Sequence, residues 1–431
     1  MNKQLLLILL PAILLAIGCK QQKAYDEGET ATQPAPHQPL PPKYTAQYDR
    51  SVPPARIDIE KAIADSVPVS LSKVASTIEY FMVGDDKYPI TDVVATNDGF
   101  IALNQPKLYL YRKGMKRKRV GLKTTFGNWE HGAKICFDKT TTRLYAHLKR
   151  INEETGYGER YIAELPPLDS VLARVYYLYP DSLPTRHFIP VNIQKGIDCF
   201  SPEIYVTPIN IGIEKGIQTF TIQGDTLCTF YAGIDSLGKV PDFGFFGSMY
   251  HTAYFYENQI TFRTSYCDTI YRVTDEQTYK AEYYIHMGKY RAPASYIFNG
   301  GERKNKAWLT DLKENKQSLF LKIFKEGKST KSGWLDADRE PDMPSVERQV
   351  VYLKSSKQTF ALPVKAGGLA NDLDGGLPFW PDGQTDGYLY MIRPAKELKA
   401  KIKLTGSPKQ KELKAFLDGV DEKQNVMIVI K

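Results

Sequence analysis

An all-β architecture, a six-bladed β-propeller with a short C-terminal helix and a closing strand, is expected from three observations. Short runs rich in β-branched and aromatic residues recur along the chain and fall into six groups. Polar turn residues separate the runs, Asn97-Asp98-Gly99 being a strong hairpin signal. No linker divides the folded part near its middle, which disfavours a pair of β-sandwiches. Six groups over residues 56–431 average roughly sixty residues each, longer than the ~40–50 of the tightest propeller repeats, so inserted loops are expected. Radial packing of small sheets buries every face and leaves only short edges.

Residues 1–18 read as a lipoprotein signal peptide. Lys3 charges a short head, residues 5–17 are apolar but too short for a membrane span of roughly 18 residues, and small residues lead to Cys19. Cysteine directly after Ala16-Ile17-Gly18 resembles a bacterial lipobox, in which the thiol is acylated, with palmitate for example, and becomes the first mature residue. An ordinary signal peptide with an incidental cysteine is disfavoured, because no second A-x-A type site precedes Lys20. Residues 19–55 carry Pro34, Pro36, Pro39, Pro41, Pro42, Pro53 and Pro54 without apolar periodicity. Such a segment cannot bury enough surface to offset ordering, so a semi-stiff tether is expected.

The first strand group holds residues 67–71, 78–83, 90–95, 100–103 and 108–111, followed by the basic run 112–119. That run reads first as a surface hairpin turned at Gly114, and second as a patch for anionic lipid or polysaccharide. Residues 134–138, 143–148 and 160–165 make the second group, with 168–179 a short helix turn or strand. The third, starting near Phe188, includes 203–207, 217–222 and 226–231. The fourth, 251–287, is the most regular; its odd positions from Ala281 to Met287 form an apolar face. The fifth runs from Ser295 through 306–310, a charged turn at 313–315 and 318–324. Residues 349–353, 359–364 and 387–392 make the sixth. Ser407-Pro408 is a helix start, with Ser as N-cap and Pro at N1; Leu413, Phe416 and Leu417 share a face, and Gly419 sits at the C-cap. The run 425–430 is a final strand, expected to join a blade beside N-terminal strands and so close the ring.

The chain is 42% hydrophobic and 25% charged, a soluble globular balance. Its net charge of +8 is modest for this length and is read as concerning anionic lipid, acidic glycan or nothing specific, and export argues against nucleic acid. Cys136, Cys199, Cys228 and Cys267 form no CxxC; buried free thiols are favoured over a single bridge, for which Cys199–Cys228 is nearest in sequence. Asn371-Asp372-Leu373-Asp374-Gly375 has the look of a calcium loop but lacks the terminal glutamate, so Asx-type turns are preferred for Asp372 and Asp374, and no cofactor is expected. The histidines show no metal spacing, and no GxSxG or P-loop occurs. Most of the 28 tyrosines are read as blade packing. Trp129, Trp334, Phe379 and Trp380 lie in loops and could stack on sugar rings or a partner; Trp129, Phe379 and Trp380 are the ligand candidates.

Several motifs resemble the six-bladed β-propeller lipoproteins of Bacteroidota. They are Cys267-Asp268-Thr269-Ile270-Tyr271-Arg272-Val273 with Tyr284-Ile285-His286-Met287-Gly288 and Pro293, Asn371 to Gly376 with Phe379-Trp380-Pro381, and the closing helix and strand. The resemblance implies a propeller lipoprotein and no established activity. The function expected is therefore a monomeric, lipid-anchored, non-catalytic binding or scaffolding module of the outer membrane, facing periplasm or cell surface, for an envelope protein or glycan. The alternative is a propeller hydrolase or lyase acting on polysaccharide at the central channel.

Overall fold

A computed structural model describes residues 41–431 apart from 86–89, 105–106, 116, 121–133, 152–157, 166–173, 181–198, 212–213, 222–224, 233–251, 265–266, 292–305, 326–345 and 403–406. The chain enters through β1 (Gln47–Asp49), β2 (Ala55–Asp58), helix α1 (Ile59–Ala64) and β3 (Ile78–Asp85). Three antiparallel four-stranded sheets follow, each built in chain order. The first is β4 (Ile90–Ala95), β5 (Phe100–Asn104), β6 (Lys107–Tyr111) and β7 (Lys118–Val120); the second is β8 (Ile135–Asp138), β9 (Arg143–Ile151), β10 (Gly158–Leu165) and β11 (Arg174–Pro180). The third is β12 (Cys199–Phe200), β13 (Tyr205–Ile211), β14 (Glu214–Phe220) and β15 (Thr226–Tyr231).

The stretch that looked most regular in sequence is the one that departs from this plan. Strands β16 (Thr252–Tyr256), β17 (Gln259–Arg263), β18 (Thr269–Val273) and β19 (Thr278–His286) form an antiparallel meander, but β1 and β2 both add in parallel to β19, giving six strands. Strands β20 (Ala307–Glu314), β21 (Ser318–Lys325), β22 (Val346–Leu353) and β23 (Gln358–Ala361) make the next four-stranded sheet. The last holds β24 (Gly383–Thr385), β25 (Tyr388–Pro394), β26 (Gln424–Ile430) and, from the other end of the chain, β3.

The expectation of a six-bladed propeller is therefore corrected to five blades. Five sheets are four-stranded propeller blades, and the remaining one is a six-stranded sheet. An edge-on β19 would offer unpaired backbone groups, and the N-terminal segment satisfies them in the same chain. The grouping also changes: β22 and β23, expected in the last group, pair with β20 and β21, while residues 78–85, expected in the first group, belong to the closing sheet. The pairing of β26 with β3 matches the ring closure expected from the two chain ends.

Local sequence explains these strands. In β19, Ala281, Tyr283 and Ile285 are buried, the odd face read from the sequence. Glu257 and Asn258 take positive φ, 50° and 60°, and make the two-residue turn from β16 to β17. Gly99 is required by its neighbour: a side chain there would come within 2.0 Å of the Tyr111 carbonyl oxygen.

Residues 41–55 depart from the expected tether. Lys43 and Tyr44 donate backbone hydrogen bonds to Thr226 and Leu227, and β1 pairs with β19. Beyond β2, Asp58 N–H donates to Thr359 Oγ1 and Val67 N–H to Ala361 O, so the strap crosses the outer strands of three consecutive sheets. Residues 67–71, expected as a strand, pair only through a bridge from Ser70 to Ala370 before a turn of 3₁₀ helix at Leu71–Lys73; Pro68 has no N–H for a longer ladder.

Apolar clusters occupy the seams. Leu103 shares a cluster with Ile135 and Leu144, Tyr145 with Phe200 and Tyr205, and Phe230 with Phe262. Tyr283 shares a cluster with Leu321, Phe320 with Leu389, and Val429 with Phe100. The seams thus return to the first sheet. Helix α2 (Ala395–Lys401) was unforeseen, while α3 (Pro408–Asp418) is the expected helix, with a Ser407–Gln410 capping box, buried Leu413 and Leu417 and Gly419 as C-cap. No helix among the described residues is long and apolar enough to cross a membrane.

Candidate functional site

The first strands of the six sheets, β4, β8, β12, β16, β20 and β24, border one central cavity of about 690 Å³. It lies toward their C-terminal ends, where Lys139, Thr140, Glu257, Asn258 and Asp386 reach it from turns. Strand-to-strand latches hold this wall. Asp92 Oδ2 accepts from Ile135 N–H at 2.9 Å, Thr385 Oγ1 from Ala95 N–H at 3.0 Å, and Gln384 Oε1 from Glu314 N–H at 2.6 Å.

The wall's charges are largely paired. Lys139 bonds Asp386, Lys313 bonds Asp311, and Arg393 Nη1 lies 2.7 Å from Asp382 Oδ2. Asp92 has Lys134 Nζ at 3.9 Å. Burial pushes the Asp92 carboxyl above the usual range, opposed by Lys134 and by the N–H groups of Ile135 and Val93. Asp138 is moved the other way. Burial is the largest single influence and raises it, but Thr141 Oγ1 at 2.5 Å and Thr140 N–H at 2.8 Å help outweigh that and hold the carboxyl below the usual range. Between them on the same wall, Cys136 is pushed up to about 12 by burial and by the Asp138 and Asp92 charges. Its thiol stays protonated at neutral pH and is no activated nucleophile.

Behind the wall sits a buried ionic centre. Glu314, 1% exposed, accepts from Lys354 Nζ at 2.7 Å, Arg272 Nη2 at 2.8 Å and Tyr283 Oη at 3.3 Å on Oε1, and from Tyr254 Oη at 2.7 Å on Oε2. Lys354 and Arg272 both lie over the Tyr256 ring, at 4.1 and 4.9 Å. Burial lowers the Lys354 ammonium, with Glu314 opposing; Tyr254 is raised well above its ordinary value by burial and then by Glu314. Two sheets contribute side chains and Gln384 links a third, so this centre fixes their mutual position.

The candidates from sequence fare unevenly. Phe379 and Trp380 are 0% and 3% exposed, and this corrects their reading as loop aromatics open to a ligand. Phe379 exchanges backbone hydrogen bonds with Leu369, and Trp380 packs edge-on against Phe320 at 5.3 Å; both belong to the core. Trp129, Trp334 and Cys19 lie outside the described residues. The Asp372 and Asp374 carboxylates go to separate partners. Asp372 accepts from Ser72 N–H and Oγ at 2.9 and 2.5 Å, whereas Asp374 accepts from Tyr80 Oη at 2.7 Å and from Gly376 N–H and Asn371 Nδ2. Asn371 Oδ1 accepts from Leu373 and Asp374 N–H, the Asx-type turn preferred from sequence. No group of three or more metal-ligating side chains occurs among the described residues.

All four described cysteines are free thiols, so the Cys199–Cys228 bridge is not formed. The carboxylates of the cavity wall and of the ionic centre behind it were missed by sequence reasoning. Asp92 stood inside a strand run and Glu314 inside what looked like a charged turn; an acidic residue interrupting an apolar strand face was the available signal.

No curated protein matches the chain. Among solved structures it is similar to the β-propeller domain of the trilobed protease from Pyrococcus furiosus, described as having an open velcro topology (8% identity, 72% of this chain and 78% of that one, TM-score 0.32). It is also similar to the phage phi92 endosialidase (9% identity, 82% and 69%, TM-score 0.34) and to a chain of the nidogen/laminin complex (10% identity, 58% and 89%, TM-score 0.28). Likenesses this loose carry no argument about activity. A family profile matches residues 39–404, and the chain belongs to that family, described as Domain of unknown function (DUF4933).

Proposed function

We propose that this protein is a lipid-anchored, non-catalytic binding module of the bacterial outer membrane, of the Bacteroidota lipoprotein kind. In this reading Cys19 is the acylated residue, and the open end of the central cavity holds part of an envelope protein or glycan. One observation carries the binding reading: a cavity of about 690 Å³ bordered by every sheet, whose ionisable groups are mostly tied to one another. Such a wall offers fixed donors and acceptors to a polar ligand.

Two experiments test it. Cys19→Ser should release the protein from membranes, and a variant that stays in the membrane fraction overturns the anchor. Affinity capture from envelopes, with a glycan array, should return a ligand held by the wild type and lost when Thr140→Trp fills the mouth. A ligand retained equally by both overturns the site.

A second reading, a polysaccharide hydrolase or lyase, is favoured by Asp92 and Asp138. Their carboxyls are shifted in opposite directions on one wall, as a general acid and its partner base would be. Asp92→Asn keeps an acceptor for Ile135 N–H, so it should abolish polysaccharide cleavage without unfolding. Wild-type protein that cleaves no envelope polysaccharide removes this reading.

A further inference from the structure

The basic run at residues 112–119 has no part in the cavity. Six of its eight residues are cationic, Arg112, Lys113, Lys116, Arg117, Lys118 and Arg119, and none is acidic. Lys116 lies outside the described residues; the others form the turn from β6 and the start of β7, the outer strand of the first blade. Met115 N–H donates to Arg112 O at 3.1 Å, and Gly114 takes φ 69° with nothing within 4 Å of where a side chain would stand. Met115 is 63% exposed at the apex, and Lys113, Arg117, Lys118 and Arg119 are exposed around it. Arg112 and Lys113 are steadied by Asp98 at 2.5 Å and Glu79 at 3.1 Å, and Arg117 lies over the Tyr109 ring at 4.7 Å.

Cations on an edge strand also discourage pairing with other chains. Edge protection accounts for the charge, but it does not require an apolar side chain at the apex. A methionine flanked in sequence by lysine and arginine on an exposed turn has the chemistry of the bilayer interface, where the apolar tip enters the acyl boundary and the cations meet anionic headgroups. We propose that the 112–119 hairpin docks this protein on an anionic lipid surface. A polyanionic glycan would use the cations but gain nothing from Met115.

The position of the hairpin gives the docking a direction. Arg112 pairs with Asp98 in the turn from β4 to β5, and the neighbouring Asn97 Nδ2 donates to the carbonyl oxygen of the cavity residue Lys139 at 3.1 Å. The hairpin and the turns that border the cavity are thus at the same end of the first blade. A bilayer held by the hairpin faces that end.

The test is sedimentation of the full chain with phosphatidylcholine vesicles, with and without phosphatidylglycerol, at low and high salt. Each interfacial cation contributes about five-fold in partitioning. The wild type should partition at least about tenfold more strongly onto the anionic vesicles and lose that preference at high salt. Arg117→Glu/Lys118→Glu/Arg119→Glu should abolish the preference, and Met115→Asp should weaken binding several-fold, both with unchanged thermal unfolding. Equal partitioning of the wild type onto both vesicles overturns the proposal, as does a charge-reversed variant that keeps the preference. Dextran sulfate binding as tight as vesicle binding, indifferent to Met115→Asp, also overturns it in favour of a polyanion patch. The readout is a ratio between two vesicle types, so its failure is distinct from failure of the Cys19 anchor.

Discussion

Glu314 shows how one buried side chain can set the terms for its surroundings. Two cations and two tyrosine hydroxyls converge on it, and the Arg272 and Lys354 side chains are only 4% and 19% exposed. Removing one partner of such a cluster leaves charge uncompensated in a low-dielectric setting. Glu314→Gln should therefore cost about 3–5 kcal/mol in urea denaturation, and adding Lys354→Met should recover part of that loss by deleting one stranded cation. A loss below about 1 kcal/mol would class the centre with exposed pairs. Asp372 makes the opposite kind of contribution, at the surface. Its carboxyl is held below the usual range because hydrogen bonds from Ser72 outweigh burial, the largest single influence, which raises it. A depressed carboxyl stabilises the fold fully above its unfolded value of about 3.9 and loses that effect as pH falls through the folded value. Asp372→Asn should accordingly lower stability at neutral pH and flatten the acid limb of the stability profile, the variant and the wild type converging below about pH 4.

Among the elements, the N-terminal strap has the largest consequence. It supplies two parallel strands to β19 and seats α1 on Gly288, where a side chain would fall 1.6 Å from Glu60 Oε2 at φ 51°. Glu60 is also held by His286 at 3.6 Å and Lys289 at 3.9 Å. Gly288→Ala should cost about 1–2 kcal/mol through left-handed backbone strain alone. It should also speed hydrogen exchange in residues 55–64 relative to the blades. Exchange that rises equally everywhere would show that the strap unfolds only with the whole molecule.

For the whole molecule, closure depends on β26, which lies between β25 and β3 and joins the two chain ends. Deleting residues 424–431 would leave two unpaired edges and open the apolar seams on both sides, where Met427 and Ile428 are buried. The truncated chain should lose cooperative thermal unfolding and aggregate. A truncated protein with one sharp transition would mean that the remaining blades fold without a closed ring.

Strand content was legible in the sequence, because a half-buried strand must alternate and a tight turn must carry particular residues; β19 and the Asn97 to Gly99 turn show both. The closing helix was equally plain, since Ser407 and Pro408 act locally. Assignment of strands to sheets was less legible: β3 reads like its sequence neighbours yet pairs with residues more than three hundred positions away. The strap was hidden for a similar reason, since a proline-rich composition reports poor self-burial and is silent about an edge elsewhere that needs covering. Phe379 and Trp380 carried the composition of a binding loop, and only packing against Leu369 and Phe320 makes them core. The cavity belongs wholly to the tertiary structure. Its wall takes a few residues from each of six distant segments, and local physics leaves no mark on residues whose meeting is decided by ring closure.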